Sequence, residues 1–521
     1  MPLHMVDDPQ DQQDDNNDNS GGAGGGRSGG AGLLGFLPLL LGLFGKGGKG
    51  IIILLILAGG AYFLISRGGC NTAGTLQNLF SKSGYNFDPY EFKKASVYEG
   101  LEDDNGKNPL PESVSLANFA PQRLNQGQQG SCVAWSSVYG ARTILESSST
   151  RTDPNQIAFS PAFVYNNIAL DGCQGSYIQK AMEFMQQQGA LSMEDFKYDD
   201  ADCSRQANSA LLQKASANKI HGFHRLTESD DVNGINTRAI KEHLAKDAPV
   251  VIGMMVGGTF MQGMMGQKVW HPTDEDMQQT GFGGHAMCVI GYDDRIEGGA
   301  FQVMNSWGTE WGQNGLAFIR YSDFKQFVRE AYGLDPLEKR GAALNIAFEC
   351  NIGLLNSDTK QNIALQTGQG NVFKTVTPIK KGTKFRIELK NAVECYAYIF
   401  TPDSTGKSFV LFPYKPIHSP YFGITGYRLF PRNEAIQADE IGNKDFMGIV
   451  VSKKPLDYNA MNTAINNSSK SDFAAKLNDA VAANVISNVS FSSGTNNSIY
   501  FKAAATETNN IVACVVEIDK Q

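Results

Sequence analysis

Basic residues are too few to give this chain a nucleic-acid footprint: 45 Lys and Arg stand against 53 Asp and Glu, for a net charge of −8. No positively charged stripe is available to neutralise phosphates. Histidine is scarce too, seven in 521 residues. His221, His224, His243, His271 and His418 stand at no metal-ligand spacing from cysteines or carboxylates, which leaves them solvated or packing roles and gives no reason to expect a metal or other cofactor. Met254, Met255, Met261, Met264 and Met265 read as gap-filling residues rather than soft ligands. Long apolar runs are missing as well. The two best, Leu33–Phe44 and Ile51–Ile65, reach 12 and 15 residues, against roughly 17–25 for a transmembrane helix. The second is nevertheless expected to act as an uncleaved membrane anchor over about 51–66, because a long polar stretch precedes it where a cleaved signal peptide would begin the chain. Arg27, Lys46 and Lys49 lie before the run and Arg67 alone just after it. That bias predicts a single pass, with the N-terminus in the cytoplasm and the remainder outside.

What the chain does have is a spaced set of reactive residues. Cys132 sits in Gln126-Gly127-Gln128-Gln129-Gly130-Ser131-Cys132-Val133-Ala134-Trp135. Far downstream come Gly284-His285-Ala286 and Asn305-Ser306-Trp307-Gly308, followed by Trp311-Gly312 and Gly315. An ordinary thiol is mostly protonated at neutral pH, so a cysteine nucleophile needs a helix N-terminus and a neighbouring imidazole to hold it as thiolate. Ala134, Val138, Ala141 and Leu145 recur at spacings of four, three and four, which predicts a helix with one buried face beginning at Cys132. His285 is the candidate acid and base, and Asn305 the candidate acceptor that fixes its tautomer, with Trp307 shielding that bond. Gln126 is the candidate oxyanion donor, beside the Cys132 backbone N–H. Cys288, in Ala286-Met287-Cys288-Val289-Ile290, reads instead as a core thiol.

These motifs resemble those of the papain-like cysteine peptidases, in which Gln, Cys, His and Asn follow in this order. The resemblance runs from about residue 110 to 340 and includes Gly172-Cys173-Gln174-Gly175-Ser176, which is similar to the family's Gly-Cys-Asn-Gly-Gly loop. It implies that Gly175 and Ser176 present backbone to the substrate. It also places Gly253 and Gly284 at a roomy, uncharged pocket for a bulky apolar side chain at the second position before the scissile bond. The family's Cys-Gly-Ser-Cys-Trp is here Gln129-Gly130-Ser131-Cys132-Val133, so one half of a familiar disulfide is missing. Cys173 is then left to pair elsewhere, and Cys203 is its best candidate on chain order. The Cys-to-His separation exceeds the roughly 130–150 residues usually met, which implies an insertion. Gly253 to Gly284, poor in helix and strand signals, is its expected place.

The expected organisation has five parts: a disordered acidic and Gly-rich tail at 1–31, a membrane-anchor region at 32–69, a linker or short pro-segment at 70–109, a papain-like domain at 110–345, and an all-β sandwich-like domain at 346–521. The fold class is α+β, with a two-lobed catalytic domain made of a helical lobe and a β-barrel lobe. The last part alternates apolar and polar residues through 382–400 and in Val410-Leu411-Phe412, Met447–Ser452 and Ile511–Ile518, with one helical interlude near Ser471–Ala483. It resembles an uncharacterised bacterial module, and binding of an envelope partner is its expected role. Residues 70–109 show no long amphipathic helical repeat, so an inhibitory prodomain of the usual length is not expected. The resulting expectation is a bacterial endopeptidase, anchored in the cell membrane and acting outside it on protein or peptide substrates through a Cys132 thioester. Two alternatives are a transpeptidase or amide hydrolase of the same Cys-His-Asn design, and a non-catalytic envelope peptide-binding protein.

Overall fold

The computed structural model describes residues 3–7, 84–227, 234–337, 348–414, 417–432 and 434–521. The expected membrane span at 51–66 and most of the polar tail lie outside the described residues. Among the described residues no helix is long and apolar enough to cross a membrane.

The helix that begins at Cys132 runs through three consecutive pieces, Cys132–Ala134, Trp135–Arg142 and Thr143–Thr150, the middle one wound with the wider i→i+5 pitch. The expected apolar face at Ala134, Val138, Ala141 and Leu145 is buried, but so is almost every other residue of the rod. The reason is that it forms the centre of its lobe. Helices Pro161–Ile168 and Ile178–Gln187 cover one side. On another side a Cβ added at Gly140 would lie 3.1 Å from Cys288 Cβ, so glycine lets the helix touch the sheet directly. Ser160 caps Pro161–Ile168 by accepting from the Phe163 N–H, with Pro161 at the first helical position. The rod ends at Arg151 in the left-handed conformation, φ 59°.

The second lobe is an eight-stranded sheet in the order Phe223–Arg225, Val328–Leu334, Val250–Val256, Gly283–Asp293, Ala300–Met304, Leu316–Arg320 and Val269–Trp270, with Ser113–Ser115 also on Gly283–Asp293. The Gly253–Gly284 stretch is more ordered than its composition suggested. Strand Val250–Val256 runs into it and short helices Gly258–Gln262 and Asp274–Met277 follow. Met254 is fully buried in that strand, while Met265 is exposed. A strand paired on both edges and covered on both faces is apolar throughout, so it carries no period-two signal to read.

Residues 348–521 form two further sheets. One holds His4–Asp7, Glu434–Gln437, Lys384–Asn391, Phe348–Asn356, Ile499–Ala503 and Ser490–Ser493 along its main path. The other runs Leu365–Thr367, Val372–Thr375, Ile511–Asp519, Lys444–Ser452, Cys395–Pro402 and Ser408–Phe412. Strand Cys395–Pro402 sends Ala397 and Ile399 into the core between the sheets, and Tyr398 and Phe400 into a second core. That second core is roofed by Ile465 of Tyr458–Asn467 and Leu477 of Phe473–Val481. The sandwich therefore carries a layer of two helices where one interlude was expected. Within the tail, too, residues 3–7 differ from expectation. His4–Asp7 pairs antiparallel with Glu434–Gln437 and Leu3 is buried, because three apolar residues, Leu3, Met5 and Val6, precede the polar run.

Candidate active site

Cys132 opens its helix, where the backbone N–H groups and the helix dipole favour a negative sulfur. The loop before it is braced from behind: Ser131 Oγ donates to Tyr198 OH at 2.6 Å, and Tyr198 OH donates to Gln126 O at 2.7 Å. His285 comes from the start of strand Gly283–Asp293, and the next residue, Ala286, donates its N–H to Cys132 Sγ at 3.5 Å. Asn305 follows strand Ala300–Met304 and is fixed by its N–H to Gly315 O at 3.0 Å.

The histidine tautomer follows from these contacts. Asn305 Oδ1 accepts from the Ser306 N–H at 2.7 Å, which sets the carboxamide's orientation, and it lies 2.8 Å from His285 Nε2. An acceptor there places the proton on Nε2 and leaves Nδ1 as the basic nitrogen. Nδ1 is buried with no hydrogen-bond partner. Trp307 stacks on the imidazole at 4.3 Å between centroids and 28° between planes, shielding the Nε2 bond from water. Gln126 is buried. Its Nε2 donates to Gln129 O at 2.9 Å, and its Oε1 accepts from Ser306 Oγ at 2.6 Å. Ser306, which no sequence signal singles out, therefore ties Asn305 to Gln126.

Gly175 and Ser176 lie on a loop closed by the Cys173–Cys203 disulfide. Tyr165 steadies this loop by donating to Cys173 O at 2.7 Å and accepting from the Gly175 N–H at 3.2 Å. Its backbone is occupied by the chain's own earlier segment. The Ser176 N–H donates to Gly84 O at 2.9 Å, and the Asn86 N–H donates to Ser176 O at 3.0 Å, a parallel pairing centred on Tyr85. Gly175 has φ +87° and a Cβ there would fall 2.5 Å from Gly84 O, so only glycine admits the segment. The Gly84 N–H donates to Cys132 Sγ at 3.2 Å.

Tyr85 fills the pocket walled by Gly253 and Gly284: a Cβ on Gly253 would meet its ring at 2.2 Å, and one on Gly284 would meet Cδ1 at 2.7 Å. Where an uncharged pocket was expected, this one holds an ionisable carboxyl beside Tyr85. Glu330 on strand Val328–Leu334 closes it, accepting from Tyr332 OH at 2.7 Å. Tyr85 OH lies near this carboxyl without reaching hydrogen-bond geometry. Burial raises Glu330 to about 7, against the pull of the two phenols.

Under this cover the thiol and the imidazole are both fully buried. Burial pushes Cys132 up to about 11, opposed by the Ala286 and Gly84 N–H groups, and depresses His285 to about 4, opposed by Asn305. Both shifts favour the uncharged pair. The site is assembled but covered. Among the described residues no group of three or more His, Cys, Asp or Glu could hold a metal.

Comparison with known proteins gives consistent matches. Residues 111–331 match the profile described as papain family cysteine protease. Cathepsin K of Mus musculus is 28% identical over 214 residues, 40% of this chain and 60% of that protein, so the chain spans about 60% of this relative's length. A cathepsin B-like protein of Giardia intestinalis is 25% identical over 217 residues, 40% of this chain and 68% of the relative. Among solved structures, xylellain, a cysteine protease from Xylella fastidiosa, covers 49% of this chain and 97% of its own at 22% identity, with a TM-score of 0.40.

Proposed function

We propose, from the match of residues 111–331 to the papain family cysteine protease profile, that the chain is an endopeptidase that attacks internal peptide bonds with the Cys132 thiolate. The observation that carries this reading is the arrangement of His285, with Nε2 held by Asn305 and Nδ1 left basic, beside a thiol at a helix N-terminus. In an uncovered cleft His285 Nδ1 takes the thiol proton, and the sulfur adds to the scissile carbonyl carbon. The Cys132 backbone N–H and the Gln126 carboxamide receive the oxyanion. The tetrahedral adduct collapses as the imidazolium protonates the leaving amine, which leaves a thioester on Cys132. His285 then deprotonates a water that hydrolyses the thioester and restores the thiol.

The segment in the cleft, Gly84 to Asn86, fills it from the sulfur to the pocket walled by Gly253 and Gly284. It is not a substrate as it lies, because an amide N–H faces the sulfur instead of a carbonyl carbon. The test is hydrolysis of denatured casein by chain freed of this segment. The wild type is expected to cleave it and Cys132→Ala to be inert, and equal rates would contradict the reading.

For location we retain the bacterial envelope, outside the cytoplasm, and the Cys173–Cys203 bridge supports an oxidising compartment. The pairing of His4–Asp7 with Glu434–Gln437 adds a condition. Both strands lie on one side of any membrane. If the apolar runs between them enter a bilayer within one chain, two passes satisfy the pairing and the expected single pass does not.

A further inference from the structure

Residues 96–108 take hydrogen bonds from both the peptidase domain and the C-terminal β domain. Val97 pairs with Arg225 on one side and with His418 on the other. Its N–H donates to Ile417 O at 2.7 Å, while the next N–H, of Tyr98, donates to Arg225 O at 3.1 Å. The Glu102 N–H donates to Tyr427 O at 2.8 Å. Asn108 closes the far end: its Nδ2 donates to Tyr427 O at 3.0 Å and its Oδ1 accepts from the Tyr427 N–H at 2.9 Å. Between these points Arg428, fully buried, spends its Nε on Glu99 O at 3.0 Å. On the peptidase side the buried Glu242 accepts from the Leu101 N–H and Tyr98 OH, each at 3.2 Å.

The same stretch of chain, ten residues upstream, lies over Cys132. Gly84 to Asn86 alone make few bonds: one to sulfur, a pairing with Ser176, an Asn86 contact to Gln174 O and the Tyr85 side chain in its pocket. Ordering three residues costs conformational entropy of the size such contacts return, so as a free peptide this segment would bind weakly. Tethered through the short helix Pro89–Lys94 to a strap that is already immobile, it meets the cleft at high effective concentration. The strap's immobility comes in large part from the β domain, whose buried Arg428 is satisfied by strap backbone and by Asn391.

We propose that the C-terminal β domain is an intramolecular clamp: by gripping residues 96–108 against the peptidase domain it keeps Gly84–Asn86 over Cys132. It thereby does the work of a long helical pro-segment, of which residues 70–109 give no sign in sequence. The proposal deepens the peptidase reading by naming how that site is restrained. A cut in or beside Pro89–Lys94, where Tyr90, Lys93 and Lys94 are exposed, severs the cover from its anchor and leaves the strap in place.

The test measures the rate at which a peptidyl epoxide labels Cys132 in the full, uncut chain, for the wild type, Asn108→Ala and Arg428→Lys. A sequence-specific protease site inserted after Lys94 provides the cut form of each. Uncut Asn108→Ala and Arg428→Lys are expected to label at least tenfold faster than uncut wild type, and all three cut forms to label alike. Labelling of the uncut variants at the wild-type rate, with melting temperatures unchanged, would overturn the clamp. So would a difference that persists after the cut, since it would mean general loosening. If Arg428→Lys fails to fold, Asn108→Ala decides. Labelling reads access to the thiol and needs no turnover. A chain that labels as expected but hydrolyses no peptide would sink the peptidase reading and leave the clamp standing.

Discussion

Glu330 and His285 respond to pH in opposite senses, and both are buried in the covered cleft. Glu330 is raised to about 7 by burial. Its contribution to the covered state is fully present below the ordinary carboxyl range and is lost as pH rises through 7. His285 is depressed to about 4, so its contribution is full above the ordinary imidazole value near 6.5 and is lost as pH falls toward 4. Between about pH 4.5 and 6.5 the two oppose each other, and Glu330→Gln removes one of them. Acidifying from pH 7.5 to 5.5 is therefore expected to speed epoxide labelling of uncut Glu330→Gln more than of wild type. An identical response of the two chains would show that Glu330 is not linked to covering. In cut enzyme the same carboxyl should favour a side chain with a donor at its tip. The ratio of kcat/KM for tyrosine over phenylalanine in that pocket is expected to rise from pH 6 to 8 in wild type and to stay flat in Glu330→Gln. Gln126→Ala, by loss of an oxyanion donor, should lower kcat by about 10²–10³ with little change in KM, read from steady-state kinetics of the cut chain.

Among the elements, the helix from Cys132 to Thr150 and the strand Gly283–Asp293 set the site by touching at Gly140 and Cys288. Gly140→Val would push methyl groups into Cys288 and should cost about 1–3 kcal/mol by overpacking. Cys288→Ala in the same chain should return part of that, as neighbouring sites do not add. Thermal melts of the two single variants and the double variant check it, and strict additivity would mean the contact is not shared. How much of this was legible in the sequence depends on the element. The Cys132 helix could be read from its 3.6-residue periodicity, and the separate positions of Cys132, His285 and Asn305 from their flanking glycines and tryptophans. Glu330 could not be read. It lies in Val-Arg-Glu-Ala-Tyr, a run with no period-two pattern to single it out, and only the sheet pairing brings it opposite Gly253. The helices Tyr458–Asn467 and Phe473–Val481 were half legible, because the apolar outer face of strand Cys395–Pro402 that they cover looks, in sequence, like part of one continuous core run.

At the scale of the whole molecule, the sequence divides more cleanly than the structure. Residues 84–337 and 348–521 have largely distinct hydrophobic cores, yet the strap at 96–108 packs Tyr98 and Leu101 into the first and hydrogen-bonds to the second part through Ile417, Tyr427 and Arg428. Such a strap has no sequence signature: its bonds are made by backbone groups and by partners more than a hundred residues away. The N-terminal strand is a second long-range tie, with Lys384 Nζ donating to Asp7 O at 3.0 Å. It predicts that a protease-sensitive tag placed before Leu3 is digested from the same side of intact cells or vesicles as the peptidase domain. Digestion of the tag from the opposite side would restore the single-pass arrangement and exclude the His4–Asp7 pairing within one chain.

The most direct test of the central claim is to trap the acyl-enzyme. Chain cut after Lys94 is mixed with a peptide ester, quenched in acid within the first turnover and digested for mass spectrometry. The account predicts the acyl group as a hydroxylamine-labile adduct on the fragment containing Cys132, present in wild type, accumulating slowly or not at all in His285→Ala, and missing in Cys132→Ala. Hydrolysis with no adduct on Cys132, or an adduct on another residue that survives in Cys132→Ala, would contradict it.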